Sequence, residues 1–162
     1  MTKVGFKDLI KRPACFLAYG FGSGLSPVAP GTAGTLAAIP LYLLLQHLPL
    51  ESYLLLLVMA FLGGIWLCQQ AVNWLGQDDP GAVVWDEIVG FLVTMIAAPV
   101  GWGWIVLGFV LFRLFDITKP WPVNLADKRL HGGVGIMLDD VIAGIYALLS
   151  LQLIAWLMQT IS

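Results

Sequence analysis

Three short clusters of charge, Asp86-Glu87, Arg113 with Asp116 and Lys119, and Asp139-Asp140, sit at the ends of apolar stretches in a chain where charge is scarce. A carboxylate taken out of water is costly unless it meets a cation, a metal or a polar substrate, so this placement points to chemistry as well as packing. Oxygen donors with no cluster of cysteine or histidine favour a hard divalent ion, magnesium or manganese, over zinc. Arg113 and Asp116 are three residues apart and share a helix face that Lys119 extends. Asp116 is then a candidate metal ligand, and Arg113 and Lys119 are candidates for phosphate oxygens.

Each cluster also has a structural explanation. Acids in a helix's first turn are favoured by the helix dipole by at most about 1 kcal/mol, which suits Asp86 and Glu87. Arg113 and Asp116 can form an internal ion pair, and Asp139 and Asp140 can cap the helix they are expected to open. The preceding His131-Gly132-Gly133-Val134-Gly135 permits tight turns and the approach of amides to an anion, a weak signal alone. His131 is the single histidine on the expected functional face, and a lone histidine is more often structural than catalytic; His47 falls on the opposite face. The segment from Tyr19 to Thr35 is dense in glycine and proline. It reads either as a breaker-rich connection or as a source of hydroxyl donors to phosphate or metal-bound water: Ser23, Ser26, Thr32 and Thr35. A helix beginning near Thr32 aims its positive end at the same anion.

The elements that must position these residues are apolar helices. Only 11% of the 162 residues are charged, 59% are hydrophobic and the mean hydropathy is +0.88, against about 25% charged in an ordinary soluble domain. Tyr53–Leu75, Ile88–Phe112 and Val141–Ser162 carry no charge over 23, 25 and 22 residues, near the ~20 needed to cross a bilayer as helix. One integral membrane domain, residues 1–162, is therefore expected, with a soluble oligomer of apolar interfaces as the alternative. The start lacks an uninterrupted signal-peptide core and reads as an amphipathic helix on a membrane face. A net charge of −2 with no basic stripe gives no support to nucleic-acid binding. Cys15 and Cys68 lack any C-x-x-C spacing and read as buried apolar side chains.

The breakers predict an all-α bundle of about four to five apolar helices plus the N-terminal amphipathic one. Helices are expected from Thr32 to Gln46, from about Glu51 to Leu75, from Ala82 to Ala98 and from Trp102 to Phe115. A polar loop should then run to Leu138, with Asp139-Asp140 opening the last helix. One straight helix over 86–116 would hold Glu87 and Asp116 about 45 Å apart. A hairpin at Pro99 to Gly103 instead returns both clusters to one side. All eight lysines and arginines then share that side, which the positive-inside rule makes cytoplasmic. The two helices flanking this hairpin are short for a full crossing and are expected to tilt little, thin the membrane or enter partway.

The strings GFGSGLSPVAPGTAGT, WDEIVG, FRLFDITKPWP and HGGVGIMLDD, in this order and spacing, resemble the bacterial phosphatidylglycerophosphatase A family from about Tyr19 to Ala143. The resemblance implies a magnesium-dependent, multi-pass enzyme of the bacterial inner membrane that removes the terminal phosphate of phosphatidylglycerophosphate. It carries the family's acidic positions onto Asp86, Glu87, Asp116, Asp139 and Asp140, and its basic ones onto Arg113 and Lys119. The expected mechanism places magnesium, or manganese, on Glu87, Asp116 and Asp140. Asp86 or Asp139 orients or deprotonates water, His131 protonates the leaving oxygen, and Arg113, Lys119, Ser23 and Thr32 hold phosphate. A phosphoaspartate route remains a competitor, and a homo-oligomer is compatible with the sequence. The rival functions are a cation channel or transporter, which needs charge through the membrane depth, and a lipid phosphotransferase, whose Asp-Gly and Asp-x-x-x-Asp pattern is absent.

Overall fold

A computed structural model of the chain describes residues 4–121 and 131–161. Lys3, Lys128, Arg129 and part of the expected polar loop before Leu138 lie outside the described residues. The described residues form helices and turns, with no strand among them. Two short helices, α1 (Phe6–Ile10) and α2 (Pro13–Ala18), lead through a 3-10 turn (Gly20–Leu25) into α3 (Pro30–Leu45). The bundle continues with α4 (Leu50–Leu75), α5 (Trp85–Thr94), α6 (Trp102–Thr118) and α7 (Gly132–Ile161).

Short α5 is the axis of the bundle. Every residue from Ile88 to Thr94 is buried, and the helix packs against α3, α4, α6 and α7. Its closest partner is α7, and the approach depends on two glycines. A Cβ on Gly90 would stand 2.5 Å from the Phe112 ring and 2.8 Å from Asp140 O, and one on Gly144 would stand 2.5 Å from Gly90 O. Small residues at such crossings let backbones meet where no hydrophobic effect drives helices together.

Several helix boundaries differ from expectation: α3 opens at Pro30 rather than Thr32, and α5 at Trp85 rather than Ala82. α5 stops at Thr94 rather than Ala98. Ala97 takes a left-handed φ of 51°, and Pro99 biases Ala98 away from helix. The carbonyls of Ile96 and Ala97 left open there accept hydrogen bonds from Gln152 Nε2 of α7, at 2.8 and 3.1 Å. α6 runs on to Thr118 and closes at Lys119 in the left-handed region, φ 40°. The largest difference is α7, which opens at Gly132 and not at Asp139-Asp140. Gly132, at φ +66°, makes the turn, and the Gly133 N–H donates to Gln69 Oε1 of α4 at 3.0 Å. The Gly133 backbone lies so close to Ile65 O that no side chain fits. These glycines are packing residues for the α4–α7 contact, so Asp139 and Asp140 lie about two turns inside a helix and cap nothing.

α4 and α7 are each long and apolar enough to cross a bilayer, and only 22% and 28% of their apolar windows are buried. Their outer faces present large apolar side chains such as Leu55, Met59, Leu62 and Trp66, and Leu149, Leu153 and Trp156. A soluble core helix would hide such a surface; a bilayer solvates it. At about 15 Å, α5 is about half as long as a hydrocarbon core of about 30 Å is thick.

One end of the bundle gathers the charge. The Arg12 guanidinium stacks over Trp74 at the end of α4, 4.9 Å from the ring centroid. The Val84 N–H, just before α5, donates to Ala18 O at 2.9 Å. At the other end the Tyr53 hydroxyl donates to Leu92 O at 2.7 Å, tying the start of α4 to the end of α5. The described lysines and arginines, Lys7, Lys11, Arg12, Arg113 and Lys119, fall at the first end, whereas His47 and Glu51 fall at the second.

Candidate active site

The first turn of α5 presents Asp86 and Glu87, and α7 presents Asp140 from inside the bundle. One carboxylate oxygen from each lies within 4.8 Å of the others. Asp86 is in hydrogen-bonding reach of Glu87, and Asp140 of Asp116 on α6. Four carboxyl groups from three helices thus share one small volume. The guanidinium there is Arg113, with Nη1 2.6 Å from Asp116 Oδ2.

This arrangement is electrostatically incomplete. Asp86 Oδ1, Glu87 Oε2 and Asp140 Oδ2 are buried and receive no hydrogen bond; Arg113 Nε finds no acceptor, and Nη1 meets Asp116 Oδ2 as an ion pair without hydrogen-bond alignment. Buried polar atoms are nearly always satisfied, so three carboxylates this close together, each keeping one bare buried oxygen, call for a cation. The donor set is all oxygen, which suits a hard divalent ion. Cys68 on α4 is fully buried, and no sulfur belongs to the group. Cys15 and Cys68 are both free and buried, as small apolar residues. Burial raises the Cys15 thiol above its ordinary range, against a smaller downward pull from Arg12.

Asp139 points to a different partner. Its Oδ2 pairs with Lys119 Nζ at 2.9 Å, while Oδ1 accepts the Asp140 N–H at 3.0 Å. His131 is exposed and lines a small cleft with Asp78, Asp79 and Asp139, apart from the three-carboxylate group.

Of the four hydroxyls in the glycine-rich segment, three are turned to backbone. Ser23 Oγ reaches Tyr19 O at 3.5 Å, Ser26 Oγ donates to Val28 O at 2.8 Å and Thr35 Oγ1 to Gly31 O at 2.9 Å. The turn carrying Ser23 packs on Ala82 and Val84 rather than on the carboxylates. Thr32 lies in the first turn of α3, directly after a residue that sequence reasoning passed over. The Gly31 backbone lies against Glu87 Oε1, and a Cβ there would stand 3.1 Å from Arg113 Nη1. Gly31 therefore lets the start of α3, with its unpaired amides, rest on the acid cluster. The signal was present: proline followed by glycine at 30–31 marks a first helical turn two residues before Thr32.

No solved structure matches the chain. A sequence profile of the family described as phosphatidylglycerophosphatase A matches residues 16–155. Phosphatidylglycerophosphatase A of Escherichia coli is 46% identical over 137 residues, covering 84% of this chain and 80% of the relative. The protein of the same name from Haemophilus influenzae is 45% identical over 145 residues, 88% and 89% of the two chains. A Bacteroides thetaiotaomicron protein, named provisionally as a phosphatidylinositol-3-phosphatase, is 42% identical over 158 residues, 91% and 98% of the two chains. With the profile covering all four motifs and these relatives matching over most of their length, the chain belongs to the phosphatidylglycerophosphatase A family of phosphatases.

Proposed function

We propose that this phosphatase hydrolyses the terminal phosphomonoester of phosphatidylglycerophosphate, giving phosphatidylglycerol and phosphate, in a magnesium-dependent reaction at the cytoplasmic face of a bacterial inner membrane. The observation that carries the reading is the close group of three carboxylates, Asp86, Glu87 and Asp140, each with one buried oxygen that receives no hydrogen bond, beside Arg113. Asp86, Glu87 and Asp140 are the residues to hold magnesium, or manganese in its place, with Asp116, ion-paired to Arg113, beside Asp140 rather than in the expected place among the ligands. Such an ion polarises a phosphoryl oxygen and lowers the pKa of a bound water.

The chain's own groups do the rest. Arg113 and Lys119 neutralise phosphate oxygens as charge shifts in the transition state, and the first-turn amides of α3 at Gly31 and Thr32 add donors. Ser23 joins them only if its hydroxyl turns from Tyr19 O. Asp86 orients the attacking water and takes its proton. Asp139, engaged by Lys119, serves as a positioning residue in place of the alternative base. The water oxygen bonds to phosphorus, the bond from phosphorus to the glycerol oxygen breaks, and His131 protonates that oxygen.

The charge map supports the interfacial enzyme over a cation channel, because the described charges gather at one end and the far end offers Glu51 alone. Positive charge at the gathered end sets it toward the cytoplasm in a multi-pass arrangement. The provisional name of the Bacteroides relative makes phosphatidylinositol 3-phosphate the competing substrate. Purified protein assayed with both lipids, with magnesium and with EDTA, tests the reading. Release of phosphate from phosphatidylglycerophosphate in magnesium alone is expected. Equal release in EDTA, or preference for the inositol lipid, sinks it.

A further inference from the structure

A second feature of the same bundle concerns the hydrocarbon part of the substrate. Between α3, α4 and α5 lies a cavity of about 240 Å³, walled by Leu41 and Leu44 of α3, Leu56 and Ala60 of α4, and Trp85 and Leu92 of α5. Its two polar side chains are both engaged by backbone. The Trp85 Nε1–H donates to Ala60 O at 3.0 Å, and the Tyr53 hydroxyl donates to Leu92 O at 2.7 Å. The wall therefore offers an occupant no side-chain donor, and only hydrocarbon matches it without stranding polar atoms. Ligand pockets that enclose a compact organic molecule run from about 300 to 1,000 Å³. This one is smaller and suits a slender chain. Leu44 and Leu56, which are 74% and 42% exposed, open it toward the lipid-facing side.

Its position says which hydrocarbon. Trp85 forms one end of the cavity and is followed directly by Asp86 and Glu87, whose carboxylates belong to the acid cluster. From Trp85 to Leu92 the wall follows α5 for about 10 Å, away from the charged end and toward the membrane interior. A headgroup at the acids and a chain in this cavity would thus lie on two sides of one helix turn. We infer that the cavity is a binding groove for one acyl chain of the phospholipid substrate, held while its phosphate meets the acids. The assignment rests on the lipid-phosphatase reading above, and it adds a specificity element that the acid cluster does not contain.

Ala60→Phe fills the groove from α4, and Leu44→Trp blocks its mouth from a side chain that is 74% exposed. For both, kcat/KM on dioleoyl phosphatidylglycerophosphate should fall about tenfold, the low end of what hydrophobic pockets discriminate. The dihexanoyl lipid should be turned over at the wild-type rate. In wild-type protein in phosphatidylcholine vesicles, phosphatidylglycerophosphate with a diazirine near the end of one chain should label segments 41–45 and 56–60. Unlabelled phosphatidylglycerophosphate should compete and added phosphatidylcholine should not. An unchanged ratio between long and short lipids in both variants, label confined to other segments, or equal competition by phosphatidylcholine overturns the groove while leaving the phosphatase reading intact. Wild-type protein that hydrolyses neither lipid overturns that reading, and the groove with it.

Discussion

Lys119 Nζ lies 2.9 Å from Asp139 Oδ2, joining the residue that closes α6 to a buried turn of α7 beside the acid cluster. Lys119 holds this place in a left-handed backbone conformation, φ 40°, which costs a non-glycine residue about 1–2 kcal/mol. The pair fixes a cation at the rim of a site that must receive a phosphate dianion. Asp139→Asn should therefore loosen Lys119 and weaken substrate binding. We expect KM to rise about tenfold, equivalent to about 1.4 kcal/mol, with kcat changed by less than a factor of a few. Steady-state kinetics on phosphatidylglycerophosphate decides the point: a collapse of kcat at constant KM would make Asp139 the base instead.

Asp86, Glu87, Asp116 and Asp140 crowd around one guanidinium, so the metal-free protein stores like-charge repulsion in a region of low dielectric. Removing one charge relieves it. Asp140→Asn and Glu87→Gln should each abolish turnover, yet raise the melting temperature in EDTA by about 3 °C, the shift that roughly 1 kcal/mol produces in a chain of this size. Magnesium should raise the wild-type melting temperature, since a ligand at a hundred times its Kd adds about 2.7 kcal/mol. The variants should lose that rise. A variant that melts lower in EDTA and still responds to magnesium would remove its residue from the metal site.

How much of this was legible in the sequence depends on the range of the interaction. The reversal near Pro99 and the helix from Leu50 to Leu75 could be read from local breakers and an unbroken apolar run, because both signals act over a few residues. The start of α7 could not. His131-Gly-Gly-Val-Gly reads locally as a turn, and only the approach of Ile65 and Gln69 from α4 shows that Gly133 is a packing glycine within a helix. The same limit explains the site. That Asp86, Glu87 and Asp140 converge follows from Gly90 meeting Gly144, two residues 54 positions apart, and a single sequence carries no register for that contact. For Gly31 the Pro-Gly pair marks only a helix start; its value at the site lies in what Glu87 and Arg113 require of it, which no local signal carries.

His131 is exposed in a cleft with Asp78, Asp79 and Asp139, and in the proposed mechanism it protonates the leaving oxygen. A general acid matters in proportion to how badly the leaving group needs a proton. His131→Ala should lower kcat on phosphatidylglycerophosphate about a hundredfold, within the usual range for a positioned acid. With 4-nitrophenyl phosphate, whose leaving group departs as the anion, the loss should shrink to a few-fold. Equal losses on both substrates would mean that His131 supports the fold or the binding of phosphate and donates no proton.

The α5–α7 crossing sets the positions of the acids, so it should be the most sensitive contact in the bundle. A methyl at Gly144 would press on Gly90 O, and one at Gly90 on Phe112 and on Asp140 O. Backbone cannot yield as a flexible side chain does, and the helices must separate. Gly90→Ala and Gly144→Ala should each destabilise the protein by about 1–3 kcal/mol, the usual cost of overpacking. They should also displace Asp140 from Glu87, and magnesium affinity should fall even in protein that remains folded. Gly63, on the outer side of α4 with no atom within 4 Å of an added Cβ, is the control. Gly63→Ala should leave melting temperature and magnesium response near wild type. If Gly90→Ala and Gly144→Ala behave like Gly63→Ala, the close crossing does not set the spacing of the carboxylates, and the site must be held by α6 through Asp116 and Arg113.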